Sequence, residues 1–305
     1  MQVTLKNKYK GYGTTALLFL LIFLFLKQLS LINKGIYAAL TLCARTIIPS
    51  LFPFLILTEC LLSSPTAQSI LCAISTPASR LLRLSKAGGN CFLLGNLFGF
   101  PVGAKAVASY YQSGLLNKKE AERLLLFCGN ASPFFLIGSV GGGMLNSLHT
   151  GVFLYFLQLF ISFLIGVFSR RLAPSQEQLA NTVIAKNKKG IAEIIQGASL
   201  QTLYICGYIL FFSAISAALL PCLKSDTLAV FMVSLLEIGN ASALAAGIPA
   251  PMSVAFCAFA TSFSGLSVYF QTLDVIQDTD LKTTLYLPVK MLSGAVAFFI
   301  AKLFY

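Results

Sequence analysis

The sequence predicts an all-α, polytopic integral membrane protein whose two repeat-related halves contain re-entrant, broken helices. Three observations predict it. The 305 residues are 57% hydrophobic and only 10% charged, with a mean hydropathy of +0.82, whereas soluble chains run near a quarter charged. Apolar runs of about 20 residues, long enough to cross the hydrocarbon core, recur along the chain. Two apolar segments, one in each half, are interrupted by glycine, proline and polar residues that a plain spanning helix avoids.

The net charge of +12 does not indicate a nucleic-acid partner. The basic residues are dispersed at the ends of apolar runs, as in Lys6, Lys8 and Lys10, then Arg80, Arg83 and Lys86, then Arg170, Arg171, Lys186, Lys188 and Lys189. That distribution marks cytoplasmic loops facing anionic lipid, where Lys and Arg set orientation. The eight cysteines form no CxxC pair and mostly sit inside apolar runs, so they read as small buried hydrophobes.

The elements follow in order. Residues 14–32 form the first span, uncleaved, with Lys27 snorkelling to an interface. Residues 33–48 form a milder helix carrying Arg45. Pro49 and Pro53 break the pattern before "FLILTECLLSS", which is too short to span alone. Residues 66–86 place basic side chains on one face and apolar ones on the other, the pattern of a helix lying at the surface. After "GNLFGFPVGAKAVASYYQSGLL" comes a polar helix that Asn117 caps, with Glu120 near its start. "GNASPFFLIGSVGGGML" is interrupted at both ends, and its Gly138–Gly142 spacing suits tight helix packing. Residues 152–168 and 200–220 are clean spans around the only long polar loop; two further apolar segments precede a last span at 285–304. The chain therefore divides into a first span (1–32), a first repeat half (33–171), a basic cytoplasmic loop (172–190) and a second repeat half (191–305).

"NLFGFPVGAKAVASYYQSGLL" is echoed by "ATSFSGLSVYFQTLDVIQDTDL", and each echo follows an apolar segment with one glutamate, Glu59 and Glu237. Paired interrupted segments in two halves point to a transporter whose site lies at the breaks. Backbone left unpaired in hydrocarbon costs several kcal/mol, so such breaks survive only inside protein or against a wet cavity. Gly99 and Gly103 let the chain turn and come close, and Pro101 suits the first turn of a half-helix. The N–H groups of Val102, Gly103 and Ala104 then present a positively polarised end to an anion, with Lys105 beside them.

Candidate substrate contacts are thus Gly99, Pro101, Val102, Gly103, Ala104, Lys105, Asn130, Ser264, Gly265 and Gln271. Glu59 and Glu237 are candidate coupling or cavity carboxylates, because a carboxylate inside an apolar segment is functional by default. A structural ion pair with Lys105 or Arg45 is the alternative for them. With two glutamates bordering one cavity, a dianion requires at least one to be protonated or paired with a cation. No HExxH, Walker A or G-x-S-x-G motif is present, so no enzyme, catalytic residue, metal or cofactor is expected.

At "GFPVGAKAVASYYQSGLLNKKEAERLLLFCGNASPFFLIGSVGGGML" the chain resembles the sporulation integral membrane proteins of the YlbJ kind, within the wider nucleoside-recognition, or Gate-domain, membrane proteins. "IIPSLFPFLILTE", "LLEIGNA" and "SFSGLSVYFQ" extend the likeness over roughly residues 33–305. The resemblance implies a multi-pass protein of the cell membrane, by family the outer forespore membrane of a spore-forming bacterium. It implies dipicolinate, a small organic dianion, as cargo. A nucleoside or other small-metabolite carrier and a non-transporting sporulation scaffold are the alternatives. Membrane lipid is an expected partner; coupling to a proton or cation, and a homo-oligomer, are left open.

Overall fold

A chain this apolar must satisfy its own backbone, and it does so with helices. The structure is a computed structural model that describes residues 15–16, 18–171 and 190–305. Residues 172–189 of the basic loop, with their expected cytoplasmic side, and Lys6, Lys8 and Lys10 lie outside the described residues.

Helix α1 (Leu18–Lys27) leads into α2 (Leu29–Leu42), so position 33 falls inside a helix. A π-helical turn at Cys43–Ile47 joins α2 to α3 (Ile48–Ser63). The expected interruption at Pro49 and Pro53 does not occur. The amide of Ile48 reaches back five residues to the Cys43 carbonyl, and this wider turn immediately precedes Pro49 at the start of α3. The result is one helical run from Leu29 to Ser63, long and apolar enough to cross a membrane.

Ser64 turns the chain and caps α4 (Pro65–Leu82) by accepting from the Ala67 amide. The division of faces expected for this segment is corrected. Its buried stripe is Gln68, Leu71, Cys72, Ser75, Ser79 and Leu82, whereas Ile70, Ile74 and Leu81 are exposed. The polar stripe faces inward because it has partners there: Ser75 donates to Asn90 at 2.8 Å, and Ser79 fills the space left by Gly89.

Helices α5 (Lys86–Phe98) and α6 (Val102–Gln112) pack on each other as a hairpin. At 1.5 Å per residue the legs reach only about 20 Å and about 16 Å, short of the roughly 30 Å hydrocarbon core. α7 (Lys118–Leu125) starts at Asn117, whose side chain accepts from the Glu120 amide at 2.9 Å as the sequence predicts. The chain then unwinds through residues 129–133 and resumes as a π-helix, Phe134–Met144, before the long α8 (Leu148–Phe168). Tight packing here runs through Gly141 against Gly151 and Gly142 against Leu148, not through Gly138. A Cβ on Gly141 would lie 2.5 Å from the Gly151 Cα, while Gly138 has open space around it.

The second half repeats this order. The long α9 (Ile191–Leu219) precedes α10 (Asp226–Leu236) and α11 (Ile238–Ala245), which pack together across a one-residue break at Glu237. An interrupted helix follows, α12 (Met252–Phe263) and α13 (Gly265–Ile276) around Ser264, and then the long α14 (Tyr286–Phe304). By element order, the hairpin tip at Gly99–Pro101 corresponds to Glu237, and the break at 129–133 to Ser264. The sequence echo had aligned the first hairpin with the second interrupted helix. Among the described residues, five helical runs are long and apolar enough to span. One of them, Met252–Ile276, has 83% of its most apolar window buried and is the central element rather than a lipid-facing one.

Candidate functional site

Both hairpin tips, the first break and the helix that follows the second break converge on one cleft. Phe98 and Phe100 come from the first tip, Glu237 and Ile238 from the second. Ala131 and Ser132 come from the first break, Val268 and Gln271 from just beyond the second. Ser50 of α3 and Ile205 and Ile209 of α9 close it.

Left-handed glycines make the convergence geometrically feasible. Gly99 has φ +82° and Gly265 φ +71°. A Cβ on Gly99 would lie 2.7 Å from the Ser132 amide nitrogen, so the first tip sits directly on the first break. A Cβ on Gly265 would lie 3.0 Å from the Leu236 carbonyl oxygen, so the second break sits on the second tip. Only glycine combines that backbone angle with that approach.

The opened backbone is satisfied by side chains from neighbouring helices. At the first break Gln158 of α8 holds both groups of Ala131, accepting from its amide and donating to its carbonyl at 3.1 Å each. Ser162 donates to the Phe127 carbonyl at 2.6 Å. The Asn130 amide donates to Asn96, to Phe127 and to Ser162. Lys290 of α14 donates to the Gly129 carbonyl. At the second tip Glu237 caps α11: its two carboxylate oxygens accept from the amides of Gly239 and Asn240 at 2.9 and 2.7 Å.

Of the residues singled out in the sequence, Glu237 and Gln271 line the cleft. Gly99, Gly265 and the fully buried Ser264 shape it. Asn130 lies behind the break, in a small polar cavity with Gln158, Ser162, Ser262, Lys290 and Ser293. Val102, Gly103 and Ala104 are buried in protein. Gly103 faces Gly95, and a Cβ on either would fall on the Cys128 carbonyl oxygen, so its close approach is to this chain's own backbone. Pro101 precedes α6, and the Phe100–Pro101 peptide is cis. Lys105 forms an ion pair with Glu59 at 3.0 Å, the structural alternative raised above. Glu59 and Glu237 therefore differ in setting: only Glu237 borders the cleft.

The sequence reading passed over Lys290, Gln158 and the phenylalanines. Lys290 had a usable signal, being a charge inside an apolar run just as the glutamates were.

Short paired hairpins, paired interrupted helices and a cleft where they meet define the class: a polytopic all-α membrane protein of the broken-helix type. The chain is 24% identical over 295 residues to Sporulation integral membrane protein YlbJ of Bacillus subtilis (strain 168), a match covering 83% of this chain and 72% of that protein. No family model matches the chain, and no solved structure matches it.

Proposed function

We propose that this protein is a membrane carrier of a small organic anion, with dipicolinate crossing the outer forespore membrane during endospore formation as its transport step. The observation that carries the reading is the meeting of two hairpin tips, one helix break and the helix after the other break at one cleft. Broken helices in membrane proteins place substrate sites where their ends converge, and an inert scaffold has no need of such breaks. The sporulation setting rests on the named relative, and the cargo on the family resemblance. Glu237 does not oppose an anion as a bare charge would, because the amides at the start of α11 offset it. Proton or cation coupling through Glu237 belongs to the same proposal.

One observation favours a second reading. Phe98, Phe100 and Phe135 with Ser50, Ser132 and Gln271 also suit an uncharged ring such as a nucleoside. Uptake of labelled pyridine-2,6-dicarboxylate by purified protein in liposomes, with uridine as competitor, separates the two. Saturable uptake that uridine leaves unchanged is the expected result. Uridine uptake in its place favours the nucleoside carrier, and uptake of neither favours the scaffold.

A further inference from the structure

Lys290 is 2% exposed. Burying an ammonium costs several kcal/mol even after relaxation, so an intramembrane lysine needs compensation or a use. The ion pairs among the described residues, Lys105–Glu59 and Lys118–Asp280, do not include it. Its ammonium bonds the Gly129 carbonyl and lies 5.6 Å from the ring centre of Phe100 and 5.9 Å from that of Tyr286. Covering one carbonyl does not call for a charge: two residues on, the neutral amide of Gln158 satisfies Ala131.

We propose that Lys290 is the counter-charge for a carboxylate on the cargo. Its ammonium and the hydroxyl of Ser262 form an anion subsite that Phe100 screens from the cleft. The small cavity beside Lys290 brings together Asn130 from the first break and Ser262 from the second. Phe100 lines the larger cleft and its ring centre also lies 5.6 Å from the ammonium, so this ring borders both the cleft and the charge. A flat aromatic acid seated against Phe98 and Phe135 brings its carboxylate to the ammonium once the Phe100 ring turns aside. The charge–charge contact then replaces a weaker cation–π contact. The inference rests on the carrier reading and supplies the positive group that Lys105, neutralised by Glu59, does not offer.

The test is ligand-induced thermal stabilisation of purified full-length protein by isophthalate and benzoate, with benzamide as the uncharged isostere. The wild type should respond to both acids and not to benzamide. Lys290→Gln keeps a donor for Gly129 without the charge, and should weaken isophthalate by about thirtyfold or more; Lys290→Arg should keep most of the affinity. Should Lys290→Gln fail to fold, Phe100→Ala decides, since removing the screen should tighten both acids and leave benzamide unchanged. A wild type indifferent to both acids overturns the subsite, as does an unchanged affinity in Lys290→Gln or in Phe100→Ala. Uridine uptake in liposomes by a protein that binds neither acid overturns the subsite alone. Failure to move any solute overturns the carrier reading, and the binding series still decides the subsite.

Discussion

Gly103 and Gly99 sit four residues apart and are glycine for different reasons. Gly99 must adopt a positive φ against Ser132, whereas Gly103 must let a hairpin leg pass over the Cys128 carbonyl. Gly103→Ala should therefore push the hairpin off the Cys128 carbonyl and cost about 1–3 kcal/mol as overpacking. A lowered melting temperature would show it, with Gly138→Ala, which has open space, as the near-neutral control. Equal melting temperatures for the two variants would contradict this packing account. Glycine reveals from sequence that something comes close, but not what. That is why the opening motif was legible as a break while its neighbour was misassigned to cargo. Lys105 stands among the site candidates in the sequence with a glutamate ion pair as the alternative, and the structure takes that alternative with Glu59, 46 positions away.

At the level of elements, hydropathy located the long helices well and described the packed ones poorly. α8, α9 and α14 face lipid over much of their surface, and apolar length alone reveals them. α4 buries serines and a glutamine and exposes Ile70 and Ile74, so an amphipathic pattern read for water gives the wrong face. The break at 129–133 is legible in its own Gly-Asn-Ala-Ser-Pro, but its support by α8, more than 25 residues away in sequence, is not. Gln158→Leu tests that dependence by leaving both the amide and the carbonyl of Ala131 unpaired. A buried unsatisfied polar group costs about 1–3 kcal/mol, so a marked loss of thermal stability is expected, with faster proteolysis near the break. A Leu variant as stable as wild type would show that the segment is satisfied in another way.

For the whole molecule, the two halves are tied at one end as well as at the cleft. Asp280 accepts from Lys118 at 2.5 Å and from Tyr111 at 2.6 Å, and Glu122 accepts from the Lys282 amide at 3.0 Å. Lys118, and after it Tyr111, hold the Asp280 carboxyl below its ordinary value. The tie is therefore fully present above the ordinary aspartate pKa of about 3.9 and is lost as pH falls through the lower folded value. Hydrogen exchange in residues 277–285 should accelerate on acidification below about pH 4 and be fast at neutral pH in Asp280→Asn. A variant with wild-type exchange would show that the tie holds nothing.

The central claim is that both tips, the first break and the helix after the second break border one cargo cleft. Its most direct measurement is thiol labelling of single cysteines at Phe98 and Ser132 in the first half and at Ile238 and Gln271 in the second. The background replaces the exposed Cys222 and the half-buried Cys60 by serine. Labelling is followed with and without whichever solute the liposomes take up. The account predicts that saturating cargo protects all four positions over the same concentration range. Protection confined to one half, or absent at all four while transport continues, would contradict it.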